Sequence, residues 1–242
     1  MAASPLKSTV FGTCVLTVLP SENVIANLRR LALVYVPSCV VFCTETLGSL
    51  LIGRPPPFPG YQGDQISSIK NDIANKSNVH HLKVIDKEAD GEIIAYAKWE
   101  IYEYGRPDLE ALKQPIDEAL KQLDQYGRLR EAAHQYFGSR NGELGKHPHI
   151  LLALLATSSK HRRRGAASLL LQWGIAKSEE LRLPVFLQAS AQGQRLCKNY
   201  GFETIDAVKF TLADYGLIGT EFMSVMIRNP PKNEIDEALI CG

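Results

Sequence analysis

Five consecutive residues, Lys160 to Arg164 (KHRRR), are basic or can become basic, and they stand directly before Gly165 and an apolar stretch. Clustered cations attract an anionic group, and a glycine lets a ligand approach the main chain closely. Where such a loop joins a strand to a helix, free N–H groups and the positive helix end converge on one point. The run therefore predicts an anion site built largely from backbone, with diphosphate as its natural guest.

Two other interpretations fit the same run. Solvated loops are often basic, and a nuclear-localisation patch has this composition. A P-loop would need GKS or GKT and a dinucleotide fold would need GxGxxG, and neither motif is present here. The run stands between a continuously apolar segment, Ile150 to Ala156 (ILLALLA), and an amphipathic segment beyond Gly165. This position inside the fold, rather than in a tail, favours a ligand site.

Other groups that exchange protons or bind metals are sparse. His147 and His149 alternate at the start of the apolar segment, where an imidazole could accept a proton through a water molecule. A capping or surface role beside Pro148 is the alternative. The five cysteines are scattered without a CxxC pair, which argues against a disulfide framework and against a zinc site. We therefore expect no metal and a reducing compartment.

The elements around the basic run alternate between strands and helices. The segment Ile150 to Ala156 predicts a central strand that is covered on both sides. Apolar residues at helical spacing predict a helix that begins at Gly165 and ends before Pro184. A short helix should then end at Tyr200-Gly201, because glycine suits the left-handed helix stop. Three further β-rich runs predict strands, at Val185 to Ala189, Val208 to Leu212 and Phe222 to Ile227.

Three sequence patterns upstream of the central strand predict further elements. Leu82 to Tyr102 predicts an antiparallel hairpin around an Asp-Gly turn. Val10 to Leu19 predicts a buried first strand, although it weakly imitates a signal peptide. Between Pro107 and Phe137, apolar residues recur at helical spacing and predict two or three helices. Leu31 to Gly53 is the longest apolar tract, but a proline and a glutamate interrupt it too much for a membrane span.

Composition excludes several classes of protein. A chain of 242 residues with 45% hydrophobic content suits one globular domain. Lys and Arg number 27 and Asp and Glu 26, for a net charge of +1. No global field would therefore hold the protein on nucleic acid or on an anionic membrane. We expect a cytoplasmic protein, with a nuclear location as the alternative, that binds no nucleic acid and spans no membrane.

The segment ATSSKHRRRGAASLLLQWG, which contains the basic run, resembles the acetyl-CoA signature of the GNAT N-acetyltransferase superfamily, Q/R-x-x-G-x-G/A. Arg162, Gly165 and Ala167 occupy its three defined positions. LPVFLQAS and LCKNYGF look like the family's later strand and its L-Y-x-x-x-G-F helix end. DGEIIAYAKWEIY is similar to the third strand of fungal and bacterial members, of the small-molecule type. Three blocks in the family's order, from Leu82 to about Asn229, are more specific than the short signature alone.

The resemblance implies an α/β (α+β) fold, with a mixed, mostly antiparallel twisted sheet of about six to seven strands flanked by helices. The sheet would be splayed at the family's fourth and fifth strands, with the pantetheine arm of acetyl-CoA between them. Thr157, at the end of the fourth strand, would pair with pantetheine. The signature loop would hold the pyrophosphate through Arg162, Arg163, Arg164, Gly165, Ala166, Ala167 and Ser168.

The reaction that the resemblance implies is direct attack of an amine on the acetyl thioester. A primary amine with a pKa of about 10.4 is only about 0.04% neutral at pH 7, so a base must take its proton. The strand positions that often carry Glu or His in the family are Ala153 and Leu151 here. His149 is then the first candidate for the base, and Glu143, Glu100 and Glu103 are weaker candidates that could equally be solvated charges. The family's Tyr that serves the departing thiolate is replaced by Cys197, with Tyr200 as the second choice.

We therefore expect an acetyl-CoA-dependent N-acetyltransferase that acts on a primary amine of a small molecule or peptide, as a monomer or homodimer. The main alternative is a non-catalytic acyl-CoA-binding module of the same fold, because both usual catalytic side chains are absent. Nucleic-acid binding through Lys160 to Arg164 ranks last. The resemblance assigns residues 66–230 to the acetyltransferase domain, residues 1–65 to an atypical apolar region with the first strand and helix, and residues 231–242 to a tail.

Overall fold

The computed structural model describes residues 10–11, 13–18, 61–106, 128–129, 131–133, 135–136 and 144–231. The apolar tract Leu31 to Gly53 and most of the helices predicted between Pro107 and Phe137 lie outside these ranges. Of the latter segment, residues 128–129, 131–133 and 135–136 are helical. Among the described residues, no helix combines the length and the apolar character needed to cross a membrane.

The described strands form one eight-stranded sheet in the order β1-β2-β3-β4-β5-β6-β8-β7. Neighbouring strands are antiparallel, except that β5 and β6 are parallel. The mixed, mostly antiparallel sheet is confirmed, and the two-residue β1 adds an eighth strand at its edge. The strands are β1 (Val10–Phe11), β2 (Cys14–Val18), β3 (Val79–Asp86), β4 (Glu92–Tyr102), β5 (His149–Thr157), β6 (Val185–Ser190), β7 (Glu203–Thr211) and β8 (Thr220–Arg228).

Three helices that are described over their full length flank the sheet: α1 (Tyr61–Asn75), α2 (Ala166–Leu181) and α3 (Ala191–Asn199). A single turn of 3-10 helix, Ser159–His161, lies between β5 and α2. Because β5 and β6 are parallel, α2 forms the crossover between them, as such pairs require. The predicted hairpin, the helix after Gly165, the helix stop at Gly201 and the closing strands are all confirmed. The single strand predicted at Val10 to Leu19 is instead two antiparallel strands, β1 and β2, of which β2 pairs with β3.

Helices α1 and α2 lie on opposite faces of the sheet. Asp72 of α1 contacts Lys98 of β4, whereas α2 packs on the next residue, Trp99. Successive side chains of a strand point to opposite faces, so these two contacts define the two sides. The main core lies on the α2 side, where Trp99, Leu170 and Leu171 are 0% exposed.

The sheet opens between β5 and β6. The two strands pair only at Ile150–Val185, Leu151–Phe186 and Leu152–Leu187; beyond these, β5 stays with β4 and β6 stays with β8. β5 has a bulge at the same place. Trp99 of β4 pairs with Leu152 and Lys98 pairs with Leu154, so Ala153 is the extra residue that has no partner on β4. The family's fourth and fifth strands correspond to β5 and β6, so the expected splay is confirmed.

The prediction that residues 150–156 are covered on both sides is wrong for the second half of β5. Ala153 is exposed, and Leu154 and Leu155 are only half-buried. The physical reason is the departure of β6, which removes the neighbour that would otherwise cover this part of the strand. A central strand with an exposed middle residue marks a groove within the sheet.

Candidate active site

The loop between β5 and α2 has the backbone of an anion site. Gly165 caps the start of α2 with φ of 82°, and no side chain caps the helix. A glycine adopts this left-handed conformation at little cost. The first N–H groups of an α-helix have no partner within the helix, and the helix dipole favours an anion beside them. The amides of Ala166, Ala167 and Ser168 therefore lie where an anion could bind, and a diphosphate at this position stays a prediction.

The structure divides the basic run into two groups. Lys160, Arg162 and Arg163 are exposed. In contrast, the guanidinium of Arg164 turns inward to the Asp86 carboxylate on β3, at 2.6 Å. His161 is half-buried and contacts Arg164 through its Nδ1. The charges that sequence reasoning treated as one set thus have two different environments.

The groove between β5 and β6 begins beside this loop. Thr157, the last residue of β5, pairs with Ala95 on one side and has no β6 partner on the other. On the α2 side of the sheet, Leu155 is packed against the main core together with Leu196 and Tyr200 from the region of α3. A thin, extended molecule can therefore lie along β5 and take the backbone hydrogen bonds that β6 does not supply.

A second opening lies beside the paired part of β5 and β6. It is an open pocket that contains His149, which is 3% exposed. Apolar side chains dominate its walls, with an imidazole, an amide and a guanidinium among them. The residues that line it are Arg106, Leu144, Gly145, His149, Leu151, Phe186, Leu187, Gln188 and Val225.

His149 is held in one tautomer. Its Nδ1 lies 2.7 Å from the His147 carbonyl oxygen, which can only accept, so Nδ1 carries the hydrogen and Nε2 keeps its lone pair. The ring lies between those of Tyr102 and Phe186, with centroid distances of 5.1 and 5.7 Å. Burial lowers the pKa of His149, although the His147 hydrogen bond opposes this. The imidazole is therefore neutral at pH 7 and able to accept a proton.

A polar row leads to His149 along the α1 side of β4. Sequence reasoning named only its Glu100, as a weaker candidate base, and missed the row. The Tyr102 hydroxyl donates to Glu100 at 2.6 Å, Lys98 contacts Glu100 at 3.1 Å, and Asp72 contacts Lys98 at 2.8 Å. Burial lowers the pKa of Lys98, but the Asp72 hydrogen bond and the Glu100 charge outweigh it and leave the pKa raised. The available signal was the alternation of polar residues in an otherwise apolar strand.

The two candidates for serving the thiolate differ in exposure. Cys197 of α3 is 4% exposed, and burial raises the pKa of its thiol to about 11. Tyr200, at the end of α3, is half-buried, and its hydroxyl accepts a hydrogen bond from Gln172 of α2 at 3.3 Å. The Tyr200 hydroxyl is thus at the surface of the α2–α3 junction, whereas the Cys197 thiol is inside it.

No protein-family model matches the chain, and no curated protein matches it. Solved structures do match. Arylalkylamine N-acetyltransferase 2 of Aedes aegypti superposes with a TM-score of 0.62 over 91% of this chain and 100% of that chain, at 15% identity. A putative arylalkylamine N-acetyltransferase 7 of the same mosquito gives a TM-score of 0.59 over 89% and 87%, at 14% identity.

A third match comes from Corynebacterium glutamicum and is described as histone acetyltransferase HPA2 and related acetyltransferase. It is 21% identical, with a TM-score of 0.52, over 90% of this chain and 98% of that chain. Likeness at these identities is a likeness of fold. The chain has the GNAT fold, with its splayed parallel pair at β5 and β6.

Proposed function

We propose that this chain is an acetyl-CoA-dependent N-acetyltransferase that moves an acetyl group to a primary amine of a small molecule or peptide. The observation that carries the proposal is a meeting of three features on β5. An anion loop follows its end, an open groove runs along its second half, and a pocket with a neutral histidine lies at its start. The arylalkylamine N-acetyltransferases that share the fold act, by their names, on amines.

The loop and groove fit the shape of acetyl-CoA. In the proposed complex, the amides of Gly165 to Ser168 receive the diphosphate, and the exposed guanidinium groups of Arg162 and Arg163 add charge. The free edge of β5 from Ala153 to Thr157 pairs with the pantetheine arm and orients the thioester. Bound acetyl-CoA supplies an activated acetyl group, and the chain supplies position and proton transfer.

His149 is the proposed base for the amine. The residue lines the pocket, its Nε2 keeps a lone pair, and burial keeps the ring neutral, so it can take the proton that an ammonium group must lose. Glu100 lies near enough to oppose the lowering of the His149 pKa, and it favours the imidazolium once formed. The Lys98 and Tyr102 contacts hold this carboxylate in place.

Tyr200 is the proposed donor to the departing thiolate, with Cys197 as the second choice. A thiol with a pKa of about 11 gives up its proton reluctantly to another thiolate, whose reference value is about 8.5. Tyr200 is also the more exposed of the two. This order reverses the one that the family pattern suggests, because burial was not visible in the sequence.

A non-catalytic acyl-CoA-binding module is the second candidate. It is favoured by two observations: the positions where the family often carries a base are Ala153 and Leu151, and the Cys197 thiol is buried. Such a module would use the same loop and groove and release no free CoA.

A screen of primary amines with detection of the released thiol separates the two. The chain is incubated with acetyl-CoA and with each amine in turn, and the acetylated product is identified by mass spectrometry. Stoichiometric thiol and acetyl amide support the transferase. Tight acetyl-CoA binding without thiol release from any amine, small or peptide, would favour the module instead.

A further inference from the structure

Arg164 joins the anion loop to the edge of the sheet. Its guanidinium contacts Asp86 Oδ2 at 2.6 Å, Thr13 Oγ1 at 2.9 Å and His161 Nδ1 at 2.9 Å. The thiol of Cys14 lies 3.6 Å from its carbonyl oxygen. These partners come from the end of β3, the β1–β2 turn, the loop itself and the start of β2. One arginine thus connects four separate parts of the fold.

The ion pair with Asp86 is well formed. The Asp86 side chain is only 4% exposed, and its Oδ1 accepts the backbone N–H of Glu88 at 3.2 Å. The Arg164 hydrogen bond holds the pKa of the Asp86 carboxyl below its usual value, so the group is ionised at neutral pH. Removing one member of such a pair leaves a buried charge without its partner, which is strongly unfavourable.

The loop needs an anchor at this position. Arg163 and Gly165, the neighbours of Arg164 on both sides, have φ of 61° and 82°. A left-handed arginine is unfavourable because its Cβ crowds the backbone, and it persists only where the surroundings impose it. Since Arg164 lies between the two left-handed residues, fixing its side chain fixes the backbone of both. Those same residues begin the row of amides that lead into α2.

We propose that the Asp86–Arg164 ion pair is a clamp that preorganises the loop for the diphosphate of acetyl-CoA. Arg164 is then a positioning residue and not a phosphate ligand. The inference rests on the proposed function of the loop. Because coupling between two sites is reciprocal, acetyl-CoA on the loop must also tighten the contact with the first hairpin at Thr13 and Cys14.

The decisive variant is Asp86→Asn, because the clamp predicts weaker acetyl-CoA binding whereas simple electrostatics predicts stronger binding. Removing a negative charge near an anion site strengthens anion binding if charge alone matters. The clamp predicts that acetyl-CoA binds about tenfold more weakly, measured by calorimetry, and that Arg164→Gln does the same. The double variant should bind acetyl-CoA no more weakly than the weaker-binding of the two single variants. In all three variants the KM for acetyl-CoA should change more than kcat does, as expected for residues that position the binding loop.

Glu179→Gln is the matched control, because it breaks an ion pair of similar length, Arg228–Glu179 at 2.8 Å, at the other end of α2. It should leave the acetyl-CoA affinity unchanged. If Asp86→Asn binds acetyl-CoA as tightly as the unaltered chain, or more tightly, the clamp is refuted even where its melting temperature falls. If the unaltered chain does not bind acetyl-CoA, the proposed function fails first.

Hydrogen exchange on the unaltered chain tests the coupling between the loop and the first hairpin. It needs no substitution, so a folding defect cannot confuse the result. Saturating acetyl-CoA should slow amide exchange in β2, Cys14–Val18, with β7 at the opposite edge of the sheet as the unchanged reference. Equal exchange in β2 with and without acetyl-CoA would overturn the proposal.

Discussion

At the scale of single residues, the sequence indicates which groups matter but not how they are held. His149 is expected as the base because it precedes the apolar strand, and the structure places it at a pocket. Its tautomer depends on the His147 carbonyl, and its neutrality depends on burial. Neither is readable from the sequence, because both depend on the fold around the ring. For Cys197, the resemblance suggests a role at the departing thiolate, but the fold buries its thiol, which the sequence does not show.

His149→Gln tests the base. Glutamine keeps a polar side chain of similar size but cannot accept the proton of the amine, so kcat/KM should fall by about 100-fold or more. Acetyl-CoA affinity should not change. In the unaltered chain, activity should fall as the pH drops through the pKa of His149, which lies below the usual 6.5. The His149→Gln variant should not show this fall in activity at low pH. Steady-state rates measured from about pH 5 upward for both proteins test the difference.

His147→Gln is the control for that experiment, because it changes an exposed ring and keeps the backbone carbonyl that orients His149. It should leave the rates unchanged. A His149→Gln variant that retains kcat/KM within about twofold would remove His149 from the mechanism.

Gly165→Val tests the close approach of the diphosphate to the backbone. A β-branched residue is strained at φ of 82° and places methyl groups where the ligand should lie, so acetyl-CoA binding should be lost in calorimetry. Gly91→Val is a matched control, since Gly91 has φ of 70° and nothing within 4 Å of an added Cβ. Equal acetyl-CoA affinity in both variants would mean that the diphosphate lies elsewhere.

At the scale of elements, the helical stripe after Gly165 predicts which face of α2 is buried, and Gly174 belongs to that stripe. The sequence does not show what the glycine meets. A Cβ at Gly174 would lie 2.2 Å from the ring of Trp99, so the glycine allows α2 to rest on a buried indole. The splay is likewise not visible in the sequence. ILLALLA predicts a strand, but the point where β6 departs from β5 depends on the bulge at Ala153, which no local pattern specifies.

Gly174→Ala should destabilise the fold. Because the ring of Trp99 is rigid and 0% exposed, the extra methyl forces α2 away from the sheet, at a cost of about 1–3 kcal/mol for overpacking. Urea unfolding measures the change. Gly193→Ala in α3 is the control, since its nearest neighbours lie at 3.8 Å, and it should be neutral or stabilising. Similar loss of stability in both would show that the α2 contact is looser than described.

At the scale of the whole molecule, charge balance predicts little of the fold, yet buried ionisable groups determine how it responds to acid. Burial lowers the pKa of His81 to about 4, and Asp72 stays ionised because Lys76 and Lys98 outweigh its burial. The sequence analysis could not identify this cluster, because its members come from α1, β3 and β4. We propose that the acetyltransferase domain extends beyond residues 66–230 and includes β1 and β2, because β2 pairs with β3 in the same sheet.

The free energy of unfolding should fall as the pH decreases from about 6.5 to about 4. In this window the unfolded chain binds a proton at His81 and the folded chain does not, so stability increases with pH. His80 and His149, whose pKa values are also lowered, act in the same direction. His81→Gln should flatten the profile, measured by urea unfolding at several pH values. If the free energy of unfolding of His81→Gln depends on pH as steeply as that of the unaltered chain, a group other than His81 causes the acid sensitivity.

The central claim is that acetyl-CoA binds the folded chain through its diphosphate, and thermal unfolding tests it most directly. A ligand at a hundredfold excess over its dissociation constant stabilises the folded state by about 2.7 kcal/mol, so acetyl-CoA and CoA should raise the melting temperature. S-acetylpantetheine, which has the thioester arm but no diphosphate, should give little or no shift at the same concentration. An unchanged melting temperature at saturating acetyl-CoA would contradict the account.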